Sequence, residues 1–588
     1  MCLVSLTAHD NDSFYVSSSA PLLYNLVITI PDRSTKMPTD RKKTIPYIIF
    51  FAVFAAISLL LFWKCRYGFP ADEAMYIAIP FRFITGDIPV LHEWNPTQIS
   101  YLWLHLPIWS FLKINGGFTG IYLAFRYMFT FCWISSSLFL FMRMRKISFA
   151  GAAAASLTLL IYVPYGEMAL YYNTICLMTL TAASAIFITA ERHLRLQYML
   201  AGFLYAIAVT CCPFLAVGYV AVLVNMLIRR RSELGRLGWA TAGISVCAVI
   251  FMIYYCCRSS LGEVLHFLPY LAGDREHPIV FTDKIITYFT SLGFSSIAVL
   301  PVLFIFSVIL IYTVVRKDEK VIRIGFAATC VFVLILQAAY LMSNSYINNY
   351  MIAPCLLGLY CSIHNRDDVT GKLFRSFWIP GLLYTVCIHF SSNLGFSSIA
   401  SAATVMTVAS AVIAAGFIRD RLNSKPLIIA LVSVALLQFS IQLYFRITYT
   451  FAEPDIKHMD QIIDHGSVKG LHLSSNRVFY YDLMMLDTEA LRSDDIDRVL
   501  IVSPELWMYL DTGKKIGSYT CWLPVIDEYT VKNLAEYYEL FPEMRPDAVY
   551  VEAYYSDLVP LIKELGYDGG HTITNGYILY PSDHAGGK

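Results

Sequence analysis

The densest concentration of reactive groups follows the first long apolar run, in Gly68-Phe69-Pro70-Ala71-Asp72-Glu73-Ala74-Met75-Tyr76. Two adjacent carboxylates beside a membrane are costly unless they are solvated, paired or in use. A carboxylate held there can take the proton from an attacking hydroxyl. The plain alternative is that Asp72 and Glu73 open a helix, whose first turn favours acids. Glu167 sits in Pro164-Tyr165-Gly166-Glu167, a turn between two later apolar runs that leads into Tyr171-Tyr172-Asn173. Asn173 lies about a turn inside the next apolar run, where an amide needs a partner, either a neighbouring helix or a polar ligand. Tyr172 stands beside it, and Asn348-Asn349-Tyr350 is a weaker case of the same kind. Cations suited to a phosphate are Arg126, Arg258 and Arg275, together with His277 in Asp274-Arg275-Glu276-His277-Pro278. An arginine matches phosphate through paired hydrogen bonds. Snorkelling to an interface is the alternative for Arg126, and ordinary loop pairing is the alternative for Arg275 and His277. Asp87, His92 and Glu93 are of types that bind a divalent metal ion, the one cofactor the sequence admits. Their spacing matches no defined metal motif, and a polar loop explains them equally well.

The elements that must position these groups are membrane helices. The chain has 588 residues, 57% hydrophobic and 15% charged, well short of the roughly 25% charged residues of a soluble domain. A crossing needs roughly 20 apolar residues. On that basis about thirteen spans are expected, near 45–63, 119–142, 148–165, 168–190, 198–211, 213–228 and 236–256, then 287–315, 321–343, 347–364, 374–391, 396–418 and 427–447. With the N-terminus in the cytoplasm, the inward loops carry Arg143/Arg145/Lys146, Arg229/Arg230/Arg231, Arg316/Lys317 and Arg419/Arg421. The short outward loops near 166–167, 344–346 and 392–395 carry no Lys or Arg, as the positive-inside rule requires. The same rule makes 198–228 a broken hairpin at Pro213 rather than one crossing.

An odd number of spans places the C-terminal part outside the cytoplasm. Residues 1–44 form a polar cytoplasmic segment expected to be disordered, with Met37 a second plausible start. Residues 45–447 form the membrane domain, with long outward loops at 64–118 and 257–286. Within the first loop, Asp72–Ile84 and Gln98–Leu112 are expected to lie as amphipathic pieces in the interface. Residues 448–588 are expected to be a soluble α/β domain, with strands at 498–502, 547–551 and 576–580 and helices near 531–540 and 557–565. From Tyr449 onward there are 23 Asp/Glu against 11 Lys/Arg, and before it 20 against 33. The near-zero net charge therefore hides a basic membrane part and an acidic domain. No GxGxxG or P-loop occurs, and no nucleic-acid partner is expected. Most of the 14 Cys fall inside apolar runs, where cysteine acts as a small hydrophobe.

An acidic pair directly after the first span, followed by an interfacial helix, resembles the GT-C glycosyltransferases. These include protein O-mannosyltransferases and the aminoarabinose transferases of lipid A. The run Asp72-Glu73…Tyr76…Pro80…Arg82…Gly86-Asp87…Trp94…Gln98, then Pro107 and Arg126, is similar to bacterial members, as is Tyr171-Tyr172-Asn173-Thr174. The resemblance covers most of residues 45–450. It implies an inverting transfer of sugar from a polyprenyl-phosphate carrier in the membrane to an extracytoplasmic glycan, lipid or protein. It also implies that Asp72 is the general base, and that Glu73 shapes the site or supports a metal. The competing readings are a transporter or flippase of lipid-linked sugars and a non-catalytic protein of polysaccharide assembly. Transporters place ionisable groups near the midplane and often repeat their halves. Here the polar residues gather beyond the helix ends.

Overall fold

The computed structural model describes residues 41–582 apart from 192, 230–233, 273–280, 295–298, 342–349, 366, 393, 423, 451–452, 454 and 524. The polar segment 1–40 with Met37, the Asn348-Asn349 pair, and the candidate ligands Arg275 and His277 lie outside the described residues.

Among the described residues, eight helices are long and apolar enough to cross a membrane. They run from Thr44–Lys64 and Ile121–Met144 to Lys425–Thr448. A ninth span forms if Phe396–Ala402 and Thr404–Arg421, bent by 44° at their junction, are counted together. The chain is thus a polytopic helical membrane protein. Shorter apolar helices lie at Phe149–Ile161, Leu215–Val224, Leu303–Arg316 and Cys355–His364. Within the expected span at 287–315, helix is described over Phe281–Phe294 and Val299–Arg316, on either side of residues 295–298. The break at Pro213 is present, between Leu194–Cys211 and Leu215–Arg229. Helices approach closely where side chains are small. A Cβ on Gly202 would lie 1.8 Å from the Ala240 carbonyl oxygen, and one on Gly243 the same distance from that of Met199.

One end of the bundle carries the acidic C-terminal region. Its core is a five-stranded sheet in which Arg498–Val502 lies parallel to both Lys515–Ile516 and Ala548–Glu552. Gly576–Tyr580 is antiparallel to Ala548–Glu552, and Gly569–Thr572 closes the edge. The strand Arg498–Val502 is buried at every position, which accounts for its unbroken apolar run after Arg498. Ser475–Ala490, Glu528–Leu540 and shorter helices pack around the sheet.

The acidic helix, Glu73–Ile84, differs from the expected surface helix. Every residue from Glu73 to Phe83 is buried. The C-terminal region covers it, with Leu506, Trp507 and Tyr509 in the same apolar core as Met75, Ile79 and Phe83. The following helix, His105–Asn115, does present apolar residues outward: Leu106, Trp109 and Ile114 are exposed.

Buried charge joins loop and domain. Arg82 is wholly buried and pairs with Asp87 at 2.6 Å and Glu93 at 3.1 Å, and it donates to the Tyr537 hydroxyl at 2.7 Å. Arg498 reaches the same Asp87 carboxylate at 3.2 Å from the first strand of the sheet. Removing one member of a buried ion pair costs roughly 3–5 kcal/mol, because the remaining charge is stranded. Arg82→Met is therefore expected to lower the melting temperature markedly and to expose residues 455–582 to protease. An unchanged melting curve in detergent would contradict this role for Arg82.

Candidate functional site

The site forms where the first helix hands the chain to the acidic helix. Gly68 lies at that handover with φ of +97°, and a Cβ there would fall 2.0 Å from the Thr450 methyl. Only glycine tolerates both conditions. The Gly68 N–H donates to the His472 carbonyl at 3.0 Å, and its own carbonyl accepts from Arg126 Nη1 at 2.8 Å. The same Nη1 donates to the carbonyls of Cys65 and Tyr67 at 3.3 and 3.2 Å. Arg126 Nε donates to both oxygens of Glu73, at 3.1 and 2.8 Å. Arg126 is thus tied to protein groups on two of its nitrogens and staples the start of the acidic helix. Glu73 is its counter-charge. Burial raises the Glu73 carboxyl above its ordinary range, partly offset by Arg126.

Asp72 immediately precedes the helix but makes no side-chain cap to it. It is half-buried, and among the described residues no hydrogen bond or ion pair reaches its carboxylate. Burial alone pushes its carboxyl up. The helix-opening alternative therefore suits Glu73 better than Asp72.

Glu167 joins the same cluster from the turn after Phe149–Ile161. Tyr165 and Gly166 have φ of +57° and +76°, which turns Glu167 inward. It is only 4% exposed. Its Oε2 accepts from the Tyr76 hydroxyl at 3.0 Å, while its Oε1 has no partner. Tyr76 is itself fixed between Tyr171, stacked at 4.9 Å, and Tyr101 at 5.4 Å. Burial first, then repulsion from Asp72 and Glu73, holds the Glu167 carboxyl well above its usual range. Three acids from two segments therefore share one electrostatic neighbourhood, and Glu167 is the member that keeps its proton longest. A narrow crevice lined by Glu73, Tyr76, Tyr122, Arg126 and Met168 opens beside them.

On the other side of the Gly166 turn lie two cations that the sequence reading passed over. Lys64, the last residue of the first helix, is wholly buried and donates to the Thr450 hydroxyl at 2.5 Å. Arg446, in the final turn of Lys425–Thr448, is 7% exposed, and its Nε has no partner. Among the described residues neither makes an ion pair with an acid. A crevice lined by Gly166, Gln442 and Tyr449 reaches Arg446. Each ends an apolar run, where a snorkelling cation is the default expectation. The available signal was that the first and last spans both end in a cation on the same side.

The other candidates are placed as follows. Asn173 is buried in Tyr172–Thr189, where the Tyr384 hydroxyl approaches its carbonyl at 3.5 Å, the geometry of helix packing. Tyr172 is half-buried and packs edge-on against Tyr171. Arg258 donates to the Phe83 carbonyl at 3.0 Å and lies over the Tyr254 ring, so it closes the last turn of the acidic helix. Asp87, His92 and Glu93 do not converge as metal ligands. Asp87 and Glu93 are taken by Arg82 and Arg498, and His92 Nδ1 accepts from the Ile88 N–H. Burial holds the His92 imidazole down at about 4. Among the described residues no three His, Cys, Asp or Glu side chains are grouped to hold a metal.

The chain matches no family model and no curated protein, and the placement of its side chains carries the functional argument.

Glu167 gives a test of this electrostatic arrangement. Its folded carboxyl is raised above the ordinary 4.5, so its favourable contribution is complete below pH 4.5 and is lost as pH rises through the folded value. Glu167→Gln retains the acceptor for Tyr76 and removes the titration. The melting temperature of the variant relative to wild type is expected to rise between pH 4 and pH 8. A difference that stays flat across that range would contradict it.

Proposed function

We propose that the protein is an inverting glycosyltransferase that moves a sugar from a polyprenyl-phosphate carrier to an acceptor hydroxyl outside the cytoplasm. The observation that carries this reading is Asp72: a half-buried carboxylate without a partner, beside two other acids that are paired or hydrogen-bonded. A base must be free to accept a proton, and burial lifts Asp72 toward the range where it does so effectively. The resemblance of residues 45–450 to the GT-C enzymes points to the same carboxylate. The thirteen crossings expected from the sequence, with the N-terminus in the cytoplasm, would turn this end of the bundle outward.

The reaction divides among the residues in order. Asp72 accepts the proton of the acceptor hydroxyl. The oxygen attacks the anomeric carbon from the face opposite the phosphate, so the configuration inverts. The bond between that carbon and the phosphate oxygen breaks, and its electron pair leaves with the polyprenyl phosphate. Negative charge grows on the departing phosphate and calls for fixed cations. Arg446, whose Nε has no partner among the described residues, meets that requirement, with Lys64 beside Thr450 as a second donor, whereas Arg126 is committed to Glu73. Arg126 acts through Glu73 as a positioning residue. Glu167, protonated for longest, can donate to a sugar hydroxyl through its unpartnered carboxyl oxygen.

Transfer should be measured in proteoliposomes with a panel of polyprenyl-phosphate sugars and acceptors. Asp72→Asn is expected to lower the rate by roughly 100-fold or more without lowering the melting temperature, since no partner is lost and repulsion of Glu73 and Glu167 is relieved. A fully active variant would move the base elsewhere. An inactive wild type that carries labelled lipid between leaflets would establish the transporter reading instead.

A further inference from the structure

A second concavity lies beyond the acid cluster, where three separate parts of the chain meet. Its volume is about 350 Å³. The first long loop supplies Trp94 and Asn95, the second supplies Tyr270, and the C-terminal region supplies Tyr519, Trp522 and Asn533 among others. The rings form a continuous wall: Trp94 lies 4.4 Å from Tyr270 and 5.4 Å from Tyr519, centre to centre. The Tyr270 hydroxyl donates to Glu536 at 3.1 Å, linking the second loop to the helix Glu528–Leu540. The groove connects to the acidic helix through Asn95. Asn95 Nδ2 approaches the sulfur of Met75 at 3.5 Å, and Met75 is one helical turn from Asp72 on the same face.

We propose that this groove binds an oligosaccharide that is neutral or carries amino groups, and that this glycan is the acceptor chain. Its role as acceptor rests on the transferase reading, but its binding does not. Three observations select the occupant. Among the described residues the lining contains no Lys or Arg and includes Asp527 and Glu536, which disfavours a phosphate-bearing lipid or an acidic polymer. The aromatic walls offer flat apolar faces of the size of a sugar ring, on which its C–H face packs. Beside them stands Asn533, half-exposed, whose amide both donates and accepts, as sugar hydroxyls do, while Asn95, Thr520 and Thr530 are hydrogen-bonded within the protein. The volume falls at the lower end of pockets that enclose small ligands, room for one or two rings of a chain that continues past the open mouth of the groove.

The experiment is equilibrium binding of malto-, manno- and chito-oligosaccharides of three to six units to the full-length protein in nanodiscs, followed by tryptophan fluorescence and calorimetry. Binding of at least one series is expected, with monosaccharides at least 10-fold weaker. Trp522→Ala should weaken binding by 10-fold or more. Asn533→Lys, on a half-exposed helix position, should do the same without disturbing the core. Asp72→Asn should bind as wild type does. Absence of binding across all three series, equal binding by both groove variants, or preference for a proline-rich cationic peptide would overturn the proposal. Binding that the groove variants abolish, in a protein that transfers no sugar, would leave the groove standing and remove the transferase reading. Transfer lost in Asp72→Asn but with unchanged acceptor KM in the groove variants would do the reverse.

Discussion

The guanidinium of Arg126 is the constraint from which the domain-bearing end of the protein is organised. It is 2% exposed and would be costly to bury without compensation. Its compensation comes from Glu73 and from three backbone carbonyls just beyond the first helix. Those contacts fix where the chain leaves the bundle and where the acidic helix begins. They also decide which member of the acidic pair is free. Glu73 is consumed in neutralising Arg126, and Asp72, one residue earlier, is left without a hydrogen bond or ion pair among the described residues. Arg82, ten residues beyond Met75's neighbour Asp72, does the equivalent work at the far end of the helix, through Asp87, Glu93 and Tyr537. A helix clamped at both ends by buried arginines holds its N-terminal carboxylate in a defined place.

Two crevices near the turn containing Gly166 differ in character, one lined by Glu73 and Arg126 and the other by Arg446. On one side are Asp72, Glu73 and Glu167, whose mutual repulsion and burial favour protonation. On the other are Lys64 and Arg446, buried with no acid paired to either among the described residues. A protein that only needed stability would bring these groups together, since unpaired buried charge is destabilising. Keeping them apart is a cost of the kind found at functional sites. It fits a reaction that accepts a proton at one point and releases a phosphate at another.

Much of the fold was legible in the sequence because apolar runs and their periods are local properties. Helix occurs within each of the thirteen expected intervals, and the strands around Leu500 and Val549 fall where continuous β-branched and apolar residues placed them. The acidic pair was legible because carboxylates at the edge of a membrane stand out by cost alone. What escaped depended on contacts remote in sequence. Asp87, His92 and Glu93 resemble metal ligands until Arg498 is placed against them from 411 residues away. Glu73–Ile84 carries the composition of an interfacial helix, but the C-terminal region covers it. Lys64 and Arg446 are each ordinary at the end of a span, and only their shared burial beside Thr450 and Gly166 distinguishes them.

The central claim is that acid and cation clusters face a single lipid-linked substrate from either side of the Gly166 turn. A structure of the protein in nanodiscs with a polyprenyl-phosphate sugar bound tests it most directly. The account predicts phosphate oxygens within hydrogen-bonding distance of Lys64 Nζ and the Arg446 guanidinium, with the anomeric carbon turned toward Asp72. A phosphate held among the helices near the middle of the bilayer, with Asp72 remote from the sugar, would contradict it.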